Sequence, residues 1–378
     1  MRRSRQSGGP KIGERVTIEQ VAGAAGVSPQ TVSRVVNNHP SVAPKTRQRV
    51  LRAIARLGYQ PNILARSLVH RRSHTLGVVA SGLEYYGPSG TLVGIEHQAT
   101  ELGYTIVLNL LHRPHVDNAE KLLNGLVSRQ VDGIVWAVPE IGSNRAWLQE
   151  RSARLPVPVV FLSMHPSNSL PVVSVDNRAG GRQATAHLLA QGYRHIGLIT
   201  GPADWWEARE RTCGWQEALR AAGLEPGERH VVVGDWSASS GEQGFSQLLA
   251  QCPETDAVFA CNDQMALGVL QTAHQRGLHV PDDLGLVGFD DIPESSYFWP
   301  SLTTVRQELR DLGGTAVRLV IQMIEANRRG EAPSPVQPIL LPPTLVVRAS
   351  SVRKGNSGVP PLEAFPLQES ELGRVHDR

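Results

Sequence analysis

From residue 74 to about residue 350, short apolar runs rich in β-branched residues alternate with longer stretches whose apolar positions recur every three to four residues. The short runs predict strands at Leu76–Ala80, Thr105–Leu110, Gly133–Trp136, Val157–Leu162, His195–Thr200, Val231–Val233, Ala257–Ala260 and Leu284–Phe289. Helices are predicted between them, among them Gly180–Ala190, Glu210–Ala222, Asp263–Arg276 and Leu309–Asn327. Apolar strands alternating with helices imply parallel sheets built from βαβ units, hence an α/β class. The length suits two such sheets flanking a cleft. A break near residue 175 and returning segments near 303 and 334 predict three crossings between lobes. Lobe 1 is then about 74–174 plus 303–333, and lobe 2 about 175–302 plus 334–350.

Residues 15–60 carry a different pattern, helical throughout. Thr17 and Gln20 have the spacing of a capping box, and Val21, Ala22 and Ala25 form a narrow apolar stripe. Gly26 falls where a helix end needs positive φ. Ser28 then caps a second helix that opens on Pro29, whose missing N–H would have been unpaired anyway. Val32, Val35 and Val36 face inward on it, leaving Gln30, Thr31, Ser33, Arg34 and Asn37 outside or flanking. A third helix is predicted from Pro44 to Leu57, with Val50, Ile54 and Leu57 inward and Gly58 as its stop. This is a minimal helix-turn-helix head; the plainer alternative is a helical hairpin with a merely solvated polar face.

Charge favours the head. Residues 1–72 hold 14 Lys/Arg against Glu14 and Glu19, a net of +12. Of the chain's 38 basic and 35 acidic residues, 24 and 33 are left for the remainder, a net of −9. A polyanion-binding head is joined to an acidic body. Residues 1–14 read as a basic disordered extension, 61–73 as a linker and 351–378 as a flexible tail. The tail lacks a sustained heptad repeat, which argues against a tetramerising coiled coil.

Other classes find little support. No apolar run approaches the ~18–20 residues that span a bilayer, and the basic stretch Met1–Lys11 leads into no apolar core of a secretory signal. Cys213, Cys252 and Cys261 are odd in number and form no C-x-x-C. Reduced thiols in a cytoplasmic protein are expected, without disulfides or zinc. His112, His115, Asp117 and Glu120 are a conceivable ligand set but read better as a solvated loop. There is no Walker A loop, G-x-S-x-G or H-E-x-x-H, so no enzyme, metal or cofactor is expected.

The stretch V-S-P-Q-T-V-S-R-V-V-N (27–37), followed by Tyr59-Gln60-Pro61-Asn62-Ile63-Leu64-Ala65-Arg66-Ser67-Leu68, closely resembles the LacI/GalR family of transcriptional repressors. The likeness runs through the body to about residue 350. It implies a periplasmic-binding-protein-like body of two lobes, with a ligand in the cleft. It also implies that the second helix lies in the major groove of double-stranded DNA. There Gln30, with Pro29 and Arg34, matches base-reading positions, while Thr17, Ser28, Thr31, Ser33 and Asn37 match phosphate-contacting ones. Tyr59 belongs to the same DNA-binding set. Arg forks onto guanine and Gln onto adenine, whereas phosphate contacts fix register without reading sequence. Asn62–Leu68 matches a hinge helix that pairs with its copy in a homodimer. Ala65 allows the close approach, and Leu68 enters the minor groove at the operator centre. Arg66, Arg71 and Arg72 are equally readable as phosphate contacts or solvated linker charges.

Loops after the strands supply ligand chemistry. Ser81, Arg209, Trp236, Asn262, Asp290 and Gln307 lie in segments similar to those lining the effector cleft of sugar-induced members. Polar groups would hold adjacent hydroxyls, and the indole would face an apolar C–H surface. Each has a plainer reading: Asn262, Asp263, Asp290 and Asp291 as caps, Trp236 as core or interface, Arg209 as a partner of Asp176. Of Trp205 and Trp206, at most one is expected to face a ligand. Ser163 stands where a sugar-induced member carries an acid, and Leu309 where it carries an aromatic ring, so pocket shape must differ. The expectation is a cytoplasmic homodimeric repressor on a pseudo-palindromic operator, released by a mono- or disaccharide. A corepressor-type regulator of a nucleobase or other non-sugar ligand is the alternative, and a transporter-linked sugar-binding protein a remote one.

Overall fold

The structure is a computed structural model that describes residues 16–59, 72–112, 118–142, 144–152, 154–167, 169–331 and 337–353. It divides into two compact units, Met1–His74 and Thr75–Arg378.

Among its described residues the first unit holds three helices, α1 (Ile18–Ala25), α2 (Pro29–Val36) and α3 (Pro44–Leu57). Thr17 caps α1 in a full capping box with Gln20, and Gly26 closes it at φ 60°. Ser28 caps α2 by accepting from the Thr31 amide, and Pro29 occupies its first turn. Gly58 stops α3 at φ 64°. The interior is Val21, Ala22, Ala25, Val32, Val35, Val50 and Ala53, with Val36, Ile54, Leu57 and Tyr59 packed partly against it. So small a core leans on its caps, each worth about 1 kcal/mol.

The second unit contains two six-stranded sheets. In chain order the strands are β1 (Thr75–Ala80), β2 (Thr105–Leu110), β3 (Gly133–Ala137), β4 (Val159–Leu162), β5 (Val172–Val175), β6 (Ile196–Thr200), β7 (Val231–Val233), β8 (Ala257–Ala260), β9 (Gly285–Asp290), β10 (Thr303–Arg306), β11 (Ile339–Leu341) and β12 (Thr344–Val346). The helices are α4 (Tyr86–Glu101), α5 (Asn118–Ser128), α6 (Asn144–Ser152), α7 (Asn177–Ala190), α8 (Trp206–Ala221), α9 (Ala238–Gln251), α10 (Asp263–Gln275) and α11 (Leu309–Arg328). One sheet runs β11-β5-β4-β3-β1-β2, the other β12-β10-β9-β8-β6-β7. Every pairing is parallel except β10 with β12. The four-residue strands β4, β5 and β8 are wholly buried, as strands covered on both faces must be.

Two of the three crossings fall elsewhere than the sequence suggests. Thr303–Arg306 does not open the first lobe: β10 pairs with β9, and the chain changes sheet only before α11. The segment after residue 334 does not enter the second lobe directly either. Ile339–Leu341 pairs with β5 in the first sheet, Pro342 and Pro343 interrupt the ladder, and β12 then joins the second sheet. Consecutive prolines donate no hydrogen bond, so a strand cannot continue through them. The break near residue 175 falls where β5 (Val172–Val175) ends in the first sheet, and the next strand, β6, belongs to the second. The three cysteines are free thiols. Among the described residues no helix is long and apolar enough to cross a membrane.

Candidate functional site

Ligands of open parallel sheets sit beyond the carboxyl ends of the strands. In the second unit a cleft of about 780 Å³, measured out to its open mouth, lies among loops that follow strands of both sheets. The first sheet contributes Ala137, Pro139, Leu162, Ser163 and Val175. The second contributes Trp205, Glu207, Arg211, Trp236, Asn262 and Asp290. Tyr85, Tyr86, Gln307 and Leu309 complete much of the wall.

Arg211 is the cation of this wall, only 6% exposed. Its Nε donates to Asn177 Oδ1 at 2.8 Å, and Nη1 donates to the Cys261 carbonyl. The guanidinium lies 3.7 Å above the Phe289 ring and 4.0 Å from Asp290 Oδ1. Gln307 Nε2 donates to that same carboxylate oxygen at 2.6 Å. Burial raises the Asp290 carboxyl to about 6, opposed by Arg211 and Gln307. Behind it, Asp263 accepts from the Ile292 amide and from Ser295 and Thr304. Burial, reinforced by Asp290, lifts Asp263 to about 7.

Aromatic edges form another side. Trp205 packs edge-on against Tyr85 and against Trp236, with ring centres 5.8 and 5.7 Å apart. Trp236 sits at φ 74°. Its ring lies on Gly201, where a Cβ would fall 2.0 Å from the indole. Glycine here is a requirement of close approach rather than of chain flexibility. Trp206 is buried and turns toward His165, so of the adjacent pair only Trp205 lines the cleft.

Four of the six residues singled out for the cleft therefore converge on it: Trp236, Asn262, Asp290 and Gln307. Asn262 is also a cap, accepting from the Met265 amide at 2.8 Å while its Nδ2 holds the Trp236 carbonyl at 2.9 Å. Ser81 is buried after β1 and does not line the cleft. Arg209 is the clear correction. It points out of the cleft, donating to the Ala203 and Asp204 carbonyls and lying 3.6 Å from Glu140; Asp176 instead caps α7. Helix α8 begins at Trp206, and its buried face carries Trp206, Arg211, Gly214, Trp215 and Ala218. Arg209 is two positions, about 200°, away from Arg211 around that helix. The three- to four-residue spacing Arg211–Trp215–Ala218 was the available signal. Asn177, Glu207, Gln264 and the Tyr85-Tyr86 pair were not anticipated.

The stretch containing Arg209 also ties the two halves of the body together. Trp206 N–H donates to the Glu140 carbonyl at 3.0 Å and Gly142 N–H to the Asp204 carbonyl at 3.1 Å. Ile141 and Trp205 form an antiparallel bridge.

Elsewhere, His230, Cys252 and Glu254 bring ligand-type atoms within 4.8 Å of one another. Two of the three are engaged internally: the Cys252 thiol donates to the Arg229 carbonyl, and Arg229 pairs with Glu254 at 2.9 Å. Glu120, from the other conceivable ligand set, pairs with Arg151.

In the first unit, Gln30 and Arg34 are exposed one turn apart on α2, and Pro29 is exposed at its start. Ser28 and Thr31 share a hydroxyl–hydroxyl hydrogen bond of 3.0 Å, and Asn37 Nδ2 donates to Ser33 Oγ at 3.4 Å. Thr17 is exposed at the start of α1, while Tyr59 is half-buried with its amide donating to Ile54. Asn62, Ala65 and Leu68 lie outside the described residues.

Known proteins share this arrangement. Residues 17–62 match the family of bacterial regulatory proteins, lacI family, and residues 185–351 match a periplasmic binding protein-like domain. The lactose operon repressor of Escherichia coli (strain K12) is 35% identical over 338 residues, spanning 89% of this chain and 91% of its own. The crystal structure of the lac repressor dimer bound to operator and the anti-inducer ONPF superposes with a TM-score of 0.81 at 34% identity, covering 90% of this chain and 100% of that one. The complex of the transcriptional regulator CelR with cellobiose gives 0.64 at 35% identity, covering 89% and 100%. With a capped helix-turn-helix, a two-sheet body and this likeness over most of its length, the chain belongs to the LacI family of DNA-binding transcriptional repressors and is not an enzyme.

Proposed function

We propose that the protein is a cytoplasmic homodimer that represses transcription from a pseudo-palindromic operator and is released by a small saccharide bound in the cleft. The carrying observation is the cleft wall: Arg211, Asp290, Gln307 and Asn262 set beside the indoles of Trp205 and Trp236. Such a wall suits a ligand with several adjacent hydroxyls and an apolar C–H face. On the DNA side, Gln30, Pro29 and Arg34 read base edges. Thr17, Ser28, Thr31, Ser33, Asn37 and Tyr59 hold the backbone. Two-fold protein symmetry demands matching operator symmetry. Asn62, Ala65 and Leu68 act as the paired hinge that keeps the complex in place.

Because ligand and operator act on one equilibrium, whatever the sugar does to DNA affinity the operator does to sugar affinity. Operator affinity measured across mono- and disaccharides tests this reading. A sugar that weakens binding supports it, while a nucleobase that strengthens binding, or silence from every sugar, refutes it.

A further inference from the structure

Glu207 opens the first turn of α8 beside Trp206, and its carboxyl lines the cleft from the second sheet's side. Ser163, after β4 of the first sheet and at φ 54°, presents its hydroxyl to the same carboxyl. Glu207 Oε2 is shut off from solvent and has no hydrogen-bond partner among the described residues. Two other residues that line the cleft each carry an atom in the same condition, Gln264 Oε1 and Trp236 Nε1. Buried polar atoms are rarely left unpaired, and these three gain partners only when the wall shifts, as it does in closing around a ligand. Two are acceptors and one is a donor. A hydroxyl satisfies either kind; a carboxylate or phosphate oxygen only accepts.

Charge leads the same way. The cleft wall carries one guanidinium, Arg211, against the carboxyls of Glu207 and Asp290, with Asp263 directly behind. Arg211 is already engaged by Asn177, the Cys261 carbonyl and the Phe289 ring. Among the described residues of the wall, an anionic substituent finds no second cation beside Arg211.

We infer that Glu207 sets the charge class of the effector, accepting a hydrogen bond from a hydroxyl of an uncharged saccharide and turning away sugar acids and sugar phosphates. This rests on the saccharide reading above. Burial lifts the Glu207 carboxyl to about 7, partly opposed by its own backbone hydrogen bond and by Arg211. A hydroxyl donor restores the ionised form, whereas an anion beside it meets repulsion in a poorly screened site.

The test is calorimetric titration of the full chain with uncharged sugars (D-glucose, D-galactose, lactose, cellobiose) and their anionic counterparts (glucuronate, galacturonate, the 6-phosphates, lactobionate, cellobionate). Wild type, Glu207→Gln and Glu207→Ala are compared, with melting curves reporting that each variant folds. Wild type is expected to bind an uncharged sugar about 10- to 100-fold more tightly than its anionic counterpart, the span of one charge-assisted hydrogen bond. Glu207→Gln narrows that gap severalfold by admitting the anion, and Glu207→Ala weakens the uncharged sugar about tenfold or more. Equal binding of both classes by wild type, or a gap unchanged in Glu207→Gln, overturns the inference and leaves the saccharide reading standing. Silence from every sugar overturns both.

Discussion

Arg211 and Arg209 stand two residues apart on one helix and have opposite surroundings, which makes their alanine variants a sharp comparison. Removing Arg211 leaves Asn177 Oδ1 and the Cys261 carbonyl without their donor and Asp290 with Gln307 alone. It also removes the cation held 3.7 Å above Phe289. Taking one member out of a buried, hydrogen-bonded charge network costs about 3–5 kcal/mol, mostly by stranding its partners. At ~2–4 °C per kcal/mol, that predicts a melting point lower by roughly 6–20 °C. Arg209→Ala removes one loose ion pair at 3.6 Å and two hydrogen bonds to loop carbonyls, from a side chain 43% exposed. Exposed pairs of this kind are worth about 0–1 kcal/mol. The assays are thermal melting, and operator binding by fluorescence anisotropy with and without the releasing sugar. Arg211→Ala is expected to keep its hold on DNA and lose the sugar response, and Arg209→Ala to keep both. A silent Arg211→Ala beside an unresponsive Arg209→Ala would refute the assignment.

Gln30→Ala should weaken the selected operator by about 1–3 kcal/mol and relax preference at one base pair, read by competition with single-base operator variants. An equal loss on all DNA would place Gln30 on the phosphates instead. Gly214→Ala puts a Cβ 2.1 Å from the Arg178 carbonyl oxygen, where α7 and α8 touch. Backbone must then move, so a loss of at least about 1–3 kcal/mol by denaturant titration is expected, and no loss would contradict the close packing. His187 is buried against Ser351 Oγ at 2.7 Å, and burial depresses it from 6.5 to about 4. The unfolded chain therefore takes up that proton first as pH falls. The stability His187 protects is complete above pH 6.5 and drains away toward pH 4, by about 3 kcal/mol in all. His187→Gln should flatten that stretch of the stability–pH curve; an unchanged slope would assign it to other groups.

What was legible in the sequence was local. Thr17 with Gln20, Ser28 before Pro29, and the glycines at 26 and 58 specify caps through neighbours a turn away, and α1 and α2 begin and α1 and α3 end there. The central strands announce themselves because both faces are buried, leaving near-continuous apolar runs. Strand partners were not legible. Thr303–Arg306 and Ile339–Leu341 are three or four residues long, and only pairing with β9 and β5 decides their sheet. In the cleft, Trp236, Asn262, Asp290 and Gln307 could be found because each follows or flanks a strand. A helix started at Glu210 leaves Arg209 in a loop; the observed start at Trp206 puts Arg211, not Arg209, on the inward face. Glu207 was hidden for the same reason, and its importance rests on an unpaired oxygen that no local pattern reveals.

The central claim is that cleft and operator are two ends of one equilibrium. It is tested most directly by measuring the coupling in both directions: operator affinity with and without the releasing sugar, and sugar affinity with and without saturating operator, at one salt concentration. The predicted result is a weakening by the same factor both ways, about 5- to 150-fold for a typical coupling energy. A sugar that binds the cleft with no change in operator affinity would contradict the claim, and one that tightens it would make the ligand a corepressor.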